Sequence, residues 1–259
     1  MTITSFSRSA LSFLFLLCCG CSDSGVQRML LPEQLREVSG LAVDGDSLLA
    51  VADENSRIFR IRFGDGLVEY IGALGEPPLK GDFEGIAVAE GNIYLVTSDG
   101  VLYRRSLDME QAEFDVFETG FGDLCEIEGL TVEGRHAFIL CKTARSKRTK
   151  KQLTILVWDL VNTRANEEAT ISVPWAELSI PDKLHPSGLH HVNEQFLVIA
   201  ARQRRWILID ETGSYVRGGT LPNAKDHPQA EGVAIVPGYV FIADEGKPRG
   251  TLTRYEGSF

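Results

Sequence analysis

A basic surface is the first thing this chain lacks. Its 259 residues carry 26 Lys and Arg against 36 Asp and Glu, a formal net charge of -10. Nothing here would displace counterions from a phosphate backbone, which excludes nucleic acid as a partner. Long apolar runs are missing as well, because no stretch after the N-terminal leader is apolar for long enough to span a bilayer. A helical hydrophobic period is absent, which excludes a bundle. The familiar catalytic signatures are absent too: no G-x-S-x-G elbow, no phosphate-cradling G-x-x-x-x-G-K-[ST], no H-E-x-x-H, and no complete EF-hand loop. Cysteine is scarce, and neither Cys125 nor Cys141 has the Cys or His spacing of a zinc site.

What the leader does contain is specific. Arg8 precedes an apolar run from Ala10 to Leu17, the length of a signal core and too short for a transmembrane helix. Cys18-Cys19-Gly20-Cys21 then opens into polar Ser22, Asp23 and Ser24. This resembles a bacterial lipoprotein signal, in which a small residue precedes a cysteine that is lipidated and becomes the new N-terminus. Gly20 favours Cys21 as that residue, with an ordinary cleaved secretory signal as the alternative. The expected organisation is a lipoprotein signal peptide over 1–20, a tether over 21–26 and a single domain over 27–259. The resemblance implies a chain held by lipid to a bacterial membrane and facing the periplasm or the exterior. In that oxidising setting Cys125 and Cys141 are the two remaining thiols. A hairpin turning at Glu133-Gly134-Arg135 sets them nearly opposite each other and predicts a disulfide.

The domain is repetitive. Gly40, Gly85, Gly129, Gly188 and Gly232 each open an alternating segment, at steps of 45, 44, 59 and 44 residues. A period of about 40–45 residues is that of a four-stranded propeller blade. After each glycine come a turn, a β-rich run such as 47–52 or 195–200, a third run such as 57–62 or 206–210, and a looser fourth. The expectation is an all-β propeller of five blades of four antiparallel strands. Six blades is the alternative, and would have to hide in the 129–188 interval. The last repeat ends after its third strand, so the extended segment 27–32 is expected to supply the fourth and close the ring. The basic stretch 145–151 reads as a solvated loop, with docking to anionic lipid or glycan as the alternative.

If each motif starts an innermost strand, its first residues and the last residues of the antiparallel second strand share one rim of the channel. That pairing gives Ser39 with Asp53, Glu84 with Asp99, Glu128 with Lys142, Ser187 with Arg202, and Glu231 with Asp244. Six carboxylates (Asp53, Glu84, Asp99, Glu128, Glu231 and Asp244) would then crowd one mouth against two cations. A divalent ion, calcium by its taste for scattered oxygen donors, would relieve them. Ser39, Ser187, Lys142 and Arg202 are the candidate ligand-binding positions beside it. His185 and His227, each before a proline at an inner strand, are candidate acid–base groups. The competing reading is structural, with the motif locking one blade to the next.

In order along the chain, Gly81-Asp-Phe-Glu-Gly85, Cys125-Glu-Ile-Glu-Gly-Leu130, His185-Pro-Ser-Gly-Leu189, His227-Pro-Gln-Ala-Glu-Gly232 and Ile242-Ala-Asp-Glu-Gly246 resemble the SdiA-regulated domain family over about residues 33–257. These are bacterial envelope β-propellers related in pattern to phytase-like and esterase-like propellers. The resemblance implies a propeller with an acidic, calcium-binding funnel and no settled activity. The expected function is therefore a monomeric, lipid-anchored propeller that binds a divalent cation and a ligand, envelope protein or glycan at that funnel. A metal-assisted hydrolase of esters or phosphoesters is the alternative.

Overall fold

The computed structural model describes residues 25–108, 113–178 and 183–257. The signal peptide, Cys21 and most of the tether lie outside the described residues. Among the described residues twenty-one strands run in chain order. The first blade is β2 (Val38–Asp44), β3 (Ser47–Ala52), β4 (Asn55–Arg62) and β5 (Val68–Ala73). The second is β6 (Phe83–Ala89), β7 (Asn92–Thr97), β8 (Val101–Ser106) and β9 (Phe114–Glu118). The third holds β10 (Cys125–Glu133), β11 (His136–Ala144) and β12 (Gln152–Asp159), with its outer edge split into β13 (Arg164–Ala165) and β14 (Ile171–Pro174). The fourth is β15 (Gly188–Val192), β16 (Gln195–Ala200), β17 (Arg205–Asp210) and β18 (Tyr215–Thr220).

The fifth blade runs β19 (Ala230–Val236), β20 (Tyr239–Asp244), β21 (Thr251–Glu256) and then β1 (Val26–Leu30), which pairs antiparallel with β21. The expected closure by the N-terminal strand is the observed one, and the ring has five blades. The surplus of the long interval goes into the loop after β11 and the divided outer edge of blade three, not into a sixth blade.

Why these residues make blades is visible in their burial. Second strands such as β3 are buried along their whole length, because a neighbouring blade covers each face. They therefore read as unbroken Leu, Val and Ala. Outer strands such as β5 and β18 are half-buried to exposed and carry Glu, Tyr and Arg. Five apolar clusters result, one between each pair of adjacent blades. Each fully buried Leu, Ile or Phe in them contributes about 1.5–3 kcal/mol. Leu31 and Leu35, just after the closing strand, sit fully buried in the seam between blades five and one.

The innermost strands β2, β6, β10, β15 and β19 touch in turn round the axis. The five motif glycines meet there at a waist that leaves a cavity of only about 10 Å³. A Cβ on Gly188 would lie 2.5 Å from the Glu231 carbonyl oxygen, and one on Gly85 would lie 2.7 Å from the Leu130 nitrogen. Glycine is required at the waist for close approach rather than for a turn. The waist divides the channel into two mouths. One is an apolar bowl of about 520 Å³, bordered by His190, Val236 and Tyr239. The other is the acidic mouth.

The predicted disulfide is present, with Cα atoms of Cys125 and Cys141 5.6 Å apart. The two are diagonal rather than opposite, since Cys141 pairs with Ile127 and Cys125 with Ala144. The offset comes from two bulges that face each other across the hairpin, Glu128 on β10 and Lys142 on β11.

Candidate functional site

The residue before the motif glycine is a bulge in four of the five inner strands: Ser39, Glu84, Glu128 and Glu231 each fall where the ladder skips a position. A bulge leaves its extra residue unpaired and re-aims the side chain. Here it turns toward the next blade and the axis. What happens next depends on the residue type.

The two serines lock blades. Ser39 donates its hydroxyl to the Phe83 carbonyl at 2.6 Å, joining blade one to blade two. Ser187 donates to the Ala230 carbonyl at 2.6 Å, joining blade four to blade five, and accepts from the Ala201 amide. Both are buried. The ligand-binding role expected of Ser39 and Ser187 is thus corrected, because their hydroxyls are spent on backbone. The structural reading of the motif holds for them.

The three glutamates do something else. Lys142 Nζ lies 2.6 Å from Glu128 Oε1, while Glu128 Oε2 is buried with no amide or hydroxyl donor. Burial, and then the charges of Glu128 and Asp82, push Glu84 up to about 9. Burial, and then the charge of Glu128 against it, raise Glu231 in the same way, and the Glu231 carboxyl donates its retained proton toward Glu128. Burial raises Glu128 too, with Lys142 working in the opposite direction. Burial alone would lower Lys142, but the Glu128 carboxylate beside it outweighs burial and holds the ammonium charged. At neutral pH the centre is one Lys142–Glu128 ion pair flanked by two carboxylic acids, from blades two, three and five.

An outer acidic ring continues the mouth. Burial and the charge of Glu37 push Asp53 up to about 6. Burial and the charges of Asp53 and Glu37 push Glu245 up to about 7. Arg36 pairs with Glu37 and Glu54 at the edge. Asp53 Oδ1 is buried without a partner.

Two expected acids are elsewhere. Asp99 takes the Thr97 hydroxyl at 2.5 Å in the turn before β8. Asp244 is buried against His227, 2.5 Å from Nδ1, and His227 Nε2 reaches the Tyr255 hydroxyl at 2.6 Å. That triad lies inside blade five, where Tyr255 belongs to the core shared with blade four. It removes His227 from the channel and from the acid–base role expected of it. The physical reason is the bulge. Counted from the motif glycine, Asp53 and Lys142 stand thirteen residues on, and the same offset gives Ser98 and Glu245 rather than Asp99 and Asp244. The backbone agrees, since the amides of Asp53, Ser98 and Glu245 bond the carbonyls of Glu37, Asp82 and Gln229 respectively. A constant offset would have found Glu245.

The other expected residues form a basic sector. His185 Nε2 and Arg202 Nη1 are 3.5 Å apart. Burial, then the charges of Lys183, Arg202 and Lys142, lower His185 and keep it neutral at pH 7. The mouth is therefore bipolar, acidic over blades one, two and five and basic over blades three and four.

Among the described residues, no three His, Cys, Asp or Glu side chains are arranged as a ligand set for a metal ion. Lys142 and the retained protons supply the positive charge the glutamates need. These side chains as placed do not make a calcium cage.

No protein-family model and no curated protein matches this chain. Solved structures do. Myxococcus xanthus glutaminyl cyclase is similar at 13% identity over 90% of this chain and 96% of that one, with a TM-score of 0.60. A chain of the nidogen/laminin complex is similar at 18% identity over 80% and 72%, with a TM-score of 0.50. The computationally designed Ika8 protein is similar at 12% identity over 85% of this chain, which spans only 58% of that one, with a TM-score of 0.46. At such identities the likeness carries the fold alone. The chain is a β-propeller.

Proposed function

We propose that this propeller is a ligand-binding protein of the bacterial envelope, tethered by lipid at Cys21, whose acidic mouth takes a cation-bearing ligand. One observation carries the reading. At the same motif position Ser39 and Ser187 bond the neighbouring blade, whereas Glu84, Glu128 and Glu231 gather at the mouth round Lys142, with two of them kept protonated. A purely structural motif would need no buried carboxyl groups that repel one another. The outer ring of Glu37, Asp53 and Glu245 gives the approach a negative field. The motif resemblance to the SdiA-regulated domain family and the signal-like leader support the envelope placement.

An arriving cation lowers the proton affinity of Glu84 and Glu231, so binding releases protons. Titration calorimetry of 1,4-diaminobutane in buffers of different ionisation enthalpy reads this directly, with calcium chloride as the comparison. The expected result is saturable binding of the diamine, tighter than that of calcium, with proton release that disappears in Glu84→Gln/Glu231→Gln. Failure of the diamine to bind tighter than about 1 mM would contradict the reading.

A further inference from the structure

We propose that a second site, for a phosphate-bearing ligand with a flat apolar body, lies beside the acidic mouth on blade three. A cavity of about 340 Å³ is bordered by Lys142, Lys150, Lys151, Lys183 and Trp175, with Cys141 of the disulfide at its wall. That volume is within the range of small-molecule sites.

The segment 145–151, expected as a solvated loop, is tied down. The amides of Arg145 and Ser146 both donate to the Leu124 carbonyl, at 2.9 and 3.0 Å, and the buried Thr149 adds its hydroxyl at 2.8 Å. Arg145 Nη1 reaches the Gly122 carbonyl at 2.9 Å, and Gln152 Nε2 donates to the Arg148 carbonyl at 2.6 Å. The Trp175 amide donates to the Lys151 carbonyl at 3.2 Å, joining the Trp175 backbone to the loop. Lys151 itself is left-handed, with φ of +61°, a conformation that costs a non-glycine residue about 1–2 kcal/mol. This is a built framework for lysines.

Those lysines are uncommitted. Arg28, Arg60, Arg62, Arg104, Arg135 and Arg148 each have a carboxylate partner. Among the described residues no carboxylate pairs with Lys150, Lys151 or Lys183, although the chain carries a net charge of -10. Ammonium groups are point charges that suit a tetrahedral dianion, whereas a planar carboxylate is better matched by the guanidinium fork of arginine. Trp175 and Ala144 supply the wall for an apolar body. The site does not depend on the cation reading, because these three lysines form no ion pair with the central glutamates.

The phosphate could come from a soluble ester or from a phospholipid headgroup, and the experiment separates them. Phenyl phosphate titrated into the full chain at about 150 mM salt should bind tighter than about 1 mM, with inorganic phosphate roughly tenfold weaker and phenylacetate weaker still. In parallel, full-chain Cys21→Ser is sedimented with phosphatidylglycerol and with phosphatidylcholine vesicles. Capture by the anionic vesicles without phenyl phosphate binding assigns the headgroup. In either arm Lys150→Gln/Lys183→Gln should weaken binding at least tenfold at unchanged melting temperature. Lys151→Asn, which keeps the left-handed backbone, should weaken it without loss of fold, and Trp175→Leu should weaken phenyl phosphate but not inorganic phosphate. No binding in either arm, binding indifferent to the lysine changes, or phenylacetate binding as tightly as phenyl phosphate would overturn the proposal.

Discussion

Glu84 and Ser39 occupy the same place in the repeat and do opposite things, and the difference is chemical. A hydroxyl can donate to the next blade's carbonyl, as Ser39 does to Phe83. The longer Glu84 side chain instead reaches the axis, where burial beside the other glutamates makes it keep a proton. The consequence for stability has a definite sign. Glu84, pushed up to about 9, and Glu231, raised likewise, bind protons more tightly folded than unfolded. Their contribution is full below the unfolded pKa of about 4.5 and is lost as pH rises through the folded values. Asp53 at about 6 and Glu245 at about 7 act in the same direction. Urea unfolding at pH 5.5 and pH 9 should show the protein losing several kcal/mol more than Glu84→Gln/Glu231→Gln over that span, since each carboxyl protonated only in the folded state contributes about 1.4 kcal/mol per pH unit. Equal losses would contradict the protonation assigned here.

At the scale of the strand, the bulge decides what was legible. The repeat spacing exposed the inner strands, the hairpins and the disulfide, because glycine spacing and β-rich runs are local signals. The bulge is not local. It needs the partner strand to reveal that the ladder skips Glu84 or Glu231, and it changes which residue at the far end of the second strand faces the mouth. That is why the structure brings Asp53 and Lys142 to the mouth, adds Glu245 beside them, and turns Asp99 and Asp244 to other partners. The glycine after the bulge is the other half of the device. Gly85→Ala would force a Cβ to within 2.7 Å of the Leu130 nitrogen, so thermal unfolding should show a loss of about 1–3 kcal/mol. Gly45→Ala, at a turn with open space around the added atom, should lose about 1 kcal/mol through its left-handed backbone alone.

At the scale of the molecule, carboxyl groups from blades two, three and five converge only because β1 closes the ring against β21 and brings blade five back beside blade one. The fold was readable in outline from five glycines and a spare extended segment. The mouth was readable in kind, as an acidic site with Lys142 in it, but not in its division into acidic and basic sectors, since Lys183 lies outside the repeated motif and Glu245 reaches the mouth only through the bulge on the partner strand. The central claim is that this convergence holds glutamic acids protonated in neutral solution. Carbon-13 NMR titration of the glutamate side-chain carboxyls, assigned with Glu84→Gln and Glu231→Gln, tests it most directly. The account predicts two resonances, lost one in each variant, that titrate above about pH 8. Titration of every glutamate below about pH 5.5 would contradict it.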